Sequence, residues 1–351
     1  MTENLIEFKD ILQEALNSLK FSSAGVLNIA SLQYSLKNLL LREPALMLST
    51  ESLNKLSFEI VKGVFSKFGV DEGFNIGHVY IHVRNGCEYF SMINGVICEV
   101  DDNTGNLIKC AIPKLNIHNK MLLFAESISE SDSFMLTLNE MLHNDIKLVI
   151  CQKKISDSLK VILRRNNIVA VERIGLEVAK SIEQITSCAP ICNLNSLEIN
   201  NIQAYVGYFS TFNLQNLNGS NYIVIEKKGC SVSTLYVSCR SFSGSSYTKK
   251  ICSDSIKFVY SMITTPYLLP GPIVFEEKLI HYLKNKVRDE LMTEIISVFC
   301  HTLNEIKIAY KDSKCDQIES SWDCYHIKRN ALIYSIDGVI NCLSIGMIVR
   351  N

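Results

Sequence analysis

Leu5, Phe8, Ile11, Leu12, Ala15, Leu16 and Leu19 recur at three- and four-residue intervals. That spacing places apolar side chains on one face of an α-helix and predicts a helix of about 17 residues at the start of the chain. A second helical stretch runs from Leu27 to Leu41 and stops before Pro44, whose ring and missing N–H end helices. Ser49 or Thr50 can then cap a third helix, with Leu53, Leu56, Ile60, Val64, Phe65 and Phe68 on its apolar face. The pattern changes near Gly69. Glycines at 69, 73 and 77 precede the alternating run His78-Val79-Tyr80-Ile81-His82-Val83, which predicts a strand and a domain boundary ahead of it.

Asn85-Gly86 is a hairpin signal and Asp101 to Gly105 reads as a loop, so strands are expected on either side of both. Beyond them, Met121 to Ala125, Lys147 to Cys151 and Ile168 to Val171 read as buried strands. They alternate with helices over Phe134 to Leu142, from Ser156 with Leu159, Ile162 and Leu163 inward, and around Val178, Ile182 and Ile185. Such alternation argues for a parallel α/β layer. Strands at Tyr205 to Phe209, Tyr222 to Glu226 and Thr234 to Val237 continue it, and Ser241 to Tyr247 reads as an exposed loop. Helices return at Ser253 to Ile263, Phe275 to Arg288, Leu291 to Ile306 and Lys328 to Cys342, with a polar, cysteine-bearing loop at 311–324. The expected fold class is therefore α/β, α+β over the whole chain, with an α/β domain inserted into a helical one.

Charge and composition narrow the function. With 35 basic and 36 acidic residues the net charge is −1, which gives no ground for a nucleic-acid partner. No apolar run reaches the roughly 18–20 residues of a membrane helix, so no membrane insertion is expected. The acidic, amphipathic start does not read as a secretory signal, which points to the cytoplasm. Thirteen cysteines, an odd number scattered singly through apolar segments, read as reduced buried thiols. Cys188 and Cys192 have no second pair to complete a zinc site, and His78 and His82 lie in a strand rather than on a helix face, so no metal is expected. No two glycines lie closer than four positions and no Gly-x-Ser-x-Gly elbow exists, which excludes Gly-x-Gly phosphate loops, Walker-type loops and that hydrolase motif.

The run Val149-Ile150-Cys151-Gln152-Lys153-Lys154-Ile155-Ser156-Asp157-Ser158-Leu159, followed by Ile168-Val169-Ala170-Val171-Glu172-Arg173-Ile174-Gly175, resembles the apical domain of group II chaperonins. There a strand leads into a helix, then a short strand ending in arginine, then a further helix. Gly95-Val96-Ile97 and Ala111-Ile112-Pro113-Lys114 are similar to the entries to that domain, and Leu269-Pro270-Gly271-Pro272-Ile273-Val274-Phe275-Glu276 stands at its Pro-Gly-Gly-Gly-Ala-x-Glu turn. Arg42 to Leu48, Cys151-Gln152-Lys153 and Glu172 to Gly175 are similar to the divergent McKusick–Kaufman and Bardet–Biedl branch of chaperonin-like proteins. The resemblance runs from about residue 5 to 350.

The resemblance implies an organisation in five segments. These are an equatorial remnant at 1–25, intermediate parts at 26–85 and 241–270, an apical domain at 86–240 and an equatorial C-terminal half at 271–351. It implies that the chain begins near the end of the N-terminal equatorial half and lacks the principal nucleotide-binding elements. The vestigial positions would be Asp254, Gly271 and Glu276. Asp254 stands 17 residues before Gly271, the spacing of a water-activating aspartate, and it or Ser253 can equally be a helix N-cap. Proline on both sides of Gly271 removes amide donors from the turn. About 20 residues separate the strands at 121 and 147, where group II chaperonins insert a lid protrusion, so a lid is not expected. The helices at 157–165 and 176–187 fall in the client-facing region and nominate Ser156, Asp157, Lys160, Arg164, Arg173, Glu177, Lys180 and Glu183 for protein binding; on their own they read as solvated faces.

Taken with the missing phosphate loop, the resemblance implies a non-enzymatic chaperonin-like protein without catalytic residues or cofactor. Its implied partners are other Bardet–Biedl chaperonin-like proteins, cytosolic chaperonin subunits and subunits of client complexes, at the centrosome or ciliary basal body. The alternative is a fragment of an ATP-dependent chaperonin subunit, for which ATP and Mg²⁺ would be the cofactors.

Overall fold

The computed structural model describes residues 2–23, 27–43, 46–68, 78–101, 105, 119–192, 199–229, 232–240, 244–286, 289–312 and 321–349. The chain divides into two compact units, Met1–Ser66 with Ser241–Asn351, and Lys67–Arg240. The Ala111 to Lys114 segment, the Asp102 to Thr104 part of the expected loop and residues 313–320 of the polar loop lie outside the described residues.

The first unit is built from helices α1 (Thr2–Leu19), α2 (Ile29–Leu40), α3 (Thr50–Phe68), α7 (Gly244–Thr264), α8 (Val274–Lys284), α9 (Glu290–Asp312) and α10 (Tyr325–Val349). Its core is the predicted face of α1 (Phe8, Leu12, Leu16) packed with Phe275 and Leu279 of α8, Ile296 and Cys300 of α9, and Ile333 and Ile336 of α10. The i, i+4, i+8 spacing on α1 is what lines those side chains up. Asn28 caps α2 by accepting from Ser31 N–H, and Ser49 caps α3 by accepting from Ser52 N–H at 3.1 Å. A small antiparallel sheet, β1 (Phe21–Ser22), β12 (Tyr267–Pro270) and β13 (Trp322–Cys324) in the order β1-β12-β13, ties distant parts of the chain together.

Helix α7 begins at Gly244, well before the expected start at Ser253. Ser253 and Asp254 therefore lie inside the helix, and neither caps it. The Ser/Gly stretch reads as a loop by composition, but Tyr247, Thr248, Ile251 and Cys252 continue the apolar period of the helix, and Thr248, Ile251 and Cys252 are buried. Tertiary packing outweighs the low helix propensity of Ser and Gly.

The second unit contains β2 (Val79–Arg84), β3 (Tyr89–Asn94), β4 (Val96–Val100), β5 (Asn119–Phe124), α4 (Asp132–His143), β6 (Ile146–Cys151), α5 (Asp157–Arg165), β7 (Val169–Val171), α6 (Gly175–Thr186), a 3₁₀ turn (Ile199–Tyr205), β8 (Gly207–Phe209), β9 (Thr211–Leu217), β10 (Ser220–Glu226) and β11 (Ser233–Ser238). A four-stranded sheet runs β7-β6-β5-β8, with β5, β6 and β7 parallel. Odd and even residues of its strands enter different cores. Leu122, Phe124, Val149 and Cys151 pack with α4 and α5, while Met121, Leu123, Leu148 and Ile150 pack with α6. Helices α5 and α6 thus cover opposite faces of one sheet. Between β5 and β6 stands the single helix α4.

The hairpin expected at Asn85-Gly86 does not form. β2 and β3 flank that turn, but β11 lies between them, parallel to β2 and antiparallel to β3. The turn signal is local, whereas every residue of β11 is buried, so the strand that must be covered on both edges takes the centre. A true hairpin forms at Asn218-Gly219, with φ of 50° and 84°, and pairs β10 with β9. Gly95, at φ 101°, turns β3 into β4 where a Cβ would stand 2.2 Å from the Ile225 carbonyl oxygen, so only glycine fits.

Candidate functional site

Two sets of residues carry the sequence expectations, one in each unit. In the first unit the chain leaves β12 at Pro270 and enters α8 through Gly271-Pro272-Ile273. Gly271 donates its N–H to Ser321 O at 2.8 Å, and a Cβ there would lie 2.0 Å from Ser321 Oγ. Ile273 donates its N–H to Glu276 Oε2 at 2.6 Å. Pro270 and Pro272 have no N–H. Every amide of the four-residue turn is thus absent or already bonded within the protein.

Glu276 is itself committed. Its side chain is 3% exposed and its Oε1 lies 2.9 Å from Lys328 Nζ. Lys328, 18% exposed, also meets Asp323 at 2.6 Å and sits 4.2 Å from the Phe275 ring centroid. Burial pulls the Lys328 pKa down, but Asp323 and Glu276 outweigh it and hold the ammonium above its ordinary value. Ile273 adopts φ 71°, ψ −56°, a strained γ-turn conformation for a β-branched residue. The resembling pattern has glycine there. Of the three vestigial positions, Gly271 and Glu276 are brought together by this turn. Asp254 stands on α7 and pairs with Lys257 at 3.3 Å, both side chains being more than half exposed.

In the second unit the nominated protein-binding residues separate. Ser156, Asp157, Lys160 and Arg164 belong to α5 or its entry, Glu177, Lys180 and Glu183 to α6 on the other face of the sheet, and Arg173 to the link between β7 and α6. Asp157, Arg164, Arg173, Glu177, Lys180 and Glu183 are exposed, and Ser156 and Lys160 are half-buried. Lys160 is a brace. Its Nζ reaches Glu172 Oε1 at 2.8 Å and Asp157 Oδ1 at 3.2 Å, while Glu172 Oε2 accepts Ile155 N–H at 2.6 Å. Burial opposes the Lys160 charge, and the bonds to Glu172 and Asp157 win, raising its pKa. Arg173, with φ 58°, lies 3.7 Å from Glu172 and donates its backbone N–H to Lys153 O. Beside these polar groups stand two apolar side chains that sequence reasoning passed over, Val161 on α5 at 48% exposure and Leu176 on α6 at 56%. Their positions outside the inward stripe of each helix were the available signal.

The remaining flagged residues are structural. His82 stacks on Tyr236 with ring centroids 5.6 Å apart, and its Nε2 lies 3.4 Å from Tyr222 Oη. Cys188 is buried and Cys192 exposed, both free, and no group of three metal-ligating side chains occurs among the described residues. Burial pushes the thiol pKa of Cys98 up to about 12 and that of Cys151 up to about 11. No helix is long and apolar enough to cross a membrane among the described residues.

The profile of the TCP-1/cpn60 chaperonin family matches residues 115–309, more than half of the chain. The chain belongs to the TCP-1/cpn60 chaperonin family. It is 24% identical to mouse molecular chaperone MKKS over 187 residues, 53% of this chain and 32% of the mouse protein. To human molecular chaperone MKKS it is 24% identical over 186 residues, 53% of this chain and 29% of that one. The matched stretch thus spans about a third of the length of these curated relatives. The fold is that of an open-state group II chaperonin monomer from Methanococcoides burtonii, with TM-score 0.65 at 16% identity over 97% of this chain and 92% of that one. A group III chaperonin in the open state superposes with TM-score 0.65 at 14% identity, covering 97% of this chain and 77% of that one.

Proposed function

We propose that this chaperonin-family chain works by binding other proteins without hydrolysing ATP. In this reading it assists assembly of the Bardet–Biedl protein complex with other chaperonin-like proteins and cytosolic chaperonin subunits, in the cytoplasm and at the centrosome or basal body. The observation that carries the non-enzymatic part is the closed turn at 270–273. Phosphoryl transfer needs a backbone loop that presents amides to phosphate oxygens. Here two positions are proline, Gly271 N–H is held by Ser321 O, and Ile273 N–H is held by Glu276. Glu276 is neutralised by Lys328, and Asp254 is paired with Lys257 on an exposed helix face. The protein-binding part is supported by membership of the chaperonin family. The assembly role is supported by the distant similarity to MKKS.

Calorimetric titration with ATP and Mg²⁺, followed by a phosphate-release assay, tests the first part. No turnover is expected; micromolar binding with Mg²⁺-dependent hydrolysis would overturn it in favour of an ATP-dependent chaperonin subunit. Affinity purification with mass spectrometry tests the second. Recovery of chaperonin-like partners and complex subunits is expected, and recovery of general heat-shock factors alone would count against a dedicated assembly role.

A further inference from the structure

We infer that the outer face of α10 pairs with the same face of a second copy of this chain, the two helices running antiparallel. Helix α10 is apolar on two sides. Ile333 and Ile336 enter the core of the first unit, while Ile327, Ala331, Tyr334, Gly338 and Asn341 return at alternating four- and three-residue intervals and are all exposed. That period lines them along one stripe, as in the seam of a coiled coil. Ile327 is 49% and Tyr334 67% exposed. Among the described residues, none of the exposed positions of α10 is Asp, Glu, Lys or Arg. Helix α1 of the same unit has an ordinary wet face, whose exposed positions include Glu3, Glu7, Asp10 and Glu14. A charge-free exposed stripe of this kind marks a contact surface, and the inference stands apart from the protein-binding reading above.

The stripe is complementary to itself. Tyr334 is its largest side chain, and Gly338, one turn further on, is a hole: a Cβ there would meet nothing within 4 Å. No contact among the described residues requires that glycine, although glycine weakens a helix relative to alanine. When two copies of α10 are laid antiparallel about a two-fold axis between these positions, each tyrosine stands over the other copy's glycine, and each Ala331 faces the other copy's Asn341. A parallel pair would set tyrosine against tyrosine and glycine against glycine, a clash beside a void. The antiparallel pair also opposes the two helix dipoles. With no charge on the stripe, a copy brings none to repel, whereas a charged partner would find no ion pair there. From Ile327 to Asn341 the contact runs about 21 Å, small for a stable interface, so a dissociation constant in the micromolar range is expected.

Sedimentation equilibrium of the whole chain between about 1 and 100 µM tests this and should show a monomer–dimer equilibrium. Tyr334→Glu, checked by circular dichroism for an unchanged fold, should raise the dissociation constant about tenfold or more. Gly338→Leu should also weaken the dimer, although it adds apolar surface and favours the helix, because the hole for tyrosine is filled. Val298→Glu, at a 64% exposed position on α9, should leave the dimer unchanged. The register is read by oxidative cross-linking with the exposed Cys87, Cys192 and Cys342 replaced by serine: Tyr334→Cys chains mixed with Gly338→Cys chains should cross-link faster than either alone. Faster cross-linking of each variant with itself would overturn the antiparallel pairing. Tighter association of Gly338→Leu, or an equal loss in Val298→Glu, would show unspecific apolar contact and overturn the placement on α10. A chain that stays monomeric throughout would overturn the second copy as occupant, and loss of a co-purified protein on Tyr334→Glu would then give the face to a different partner.

Discussion

The two units contain the same polar device at different depths. In each, a lysine lies between a glutamate and an aspartate, and the glutamate's second oxygen accepts a backbone N–H from an isoleucine at 2.6 Å. In the helical unit the device is Glu276, Lys328 and Asp323, with Glu276 almost wholly inside. In the α/β unit it is Glu172, Lys160 and Asp157, with Glu172 at 21% and Lys160 at 35% exposure. Desolvation makes the difference. A buried charge deprived of its partner costs several kcal/mol, whereas a pair that water can reach contributes little. One geometry therefore secures a closed turn in the first unit and only steadies α5 in the second.

Breaking the buried device should have the largest effect. Lys328→Ala leaves Glu276 and Asp323 unpaired and is expected to cost about 3–5 kcal/mol, while Lys328→Met, which removes the charge but keeps the stem over Phe275, should leave the same two carboxylates uncompensated and recover only part of the packing. The single tryptophan, Trp322, lies in the first unit, so its fluorescence in urea reads this loss directly.

Next come the two glycines at which the backbone approaches another strand. Gly271→Ala and Gly95→Ala should each cost about 2 kcal/mol or more, because a Cβ would collide with Ser321 in one unit and with the Ile225 carbonyl in the other. Trp322 fluorescence should register the first and not the second. Hydrogen exchange on the β5 and β6 amides should register the second.

Alkali should sharpen the contrast through the thiols of the α/β unit. Cys98 and Cys151 have folded-state pKa values raised to about 12 and about 11 by burial. Their contribution to stability is fully present below the ordinary thiol pKa of about 8.5–9 and is lost as pH rises through the raised values. Urea midpoints followed by circular dichroism should hold to about pH 8.5 and fall above it, and Cys98→Ala should flatten that fall. The Lys328 contribution, from a pKa also raised, should persist until pH exceeds its unfolded value of about 10.4.

A gain is expected at Ile273. Replacing it with glycine relieves the positive φ and should stabilise the first unit by about 1 kcal/mol after the added freedom of the unfolded chain is deducted. The smallest effect belongs to the exposed brace, where Lys160→Ala should cost no more than about 1 kcal/mol. A loss at Lys160 as large as that at Lys328 would break the comparison between the units.

Elements whose cause is local can be read from neighbouring residues. The apolar stripe of α1, the cap at Ser49, the alternation of strand and helix from β5 to α6, and the absence of a Gly-x-Gly loop are all of this kind. So is the family resemblance, since Cys151-Gln152-Lys153 and Glu172 to Gly175 lie in continuous runs. Strand β9 went unread, although Asn218-Gly219 is a local hairpin turn signal directly ahead of the Tyr222 to Glu226 strand. Long-range packing settled the rest. β11 came between β2 and β3 because a strand buried on every residue needs two neighbours, which no turn signal encodes. α7 reached back to Gly244 because Thr248, Ile251 and Cys252 found a core to enter. Lys328 met Glu276, and α5 and α6 took opposite faces of the sheet, through packing between segments far apart in sequence. Periodicity tells which side of an element is apolar; which partner covers that side is a property of the whole chain, fixed where burial and desolvation are settled together.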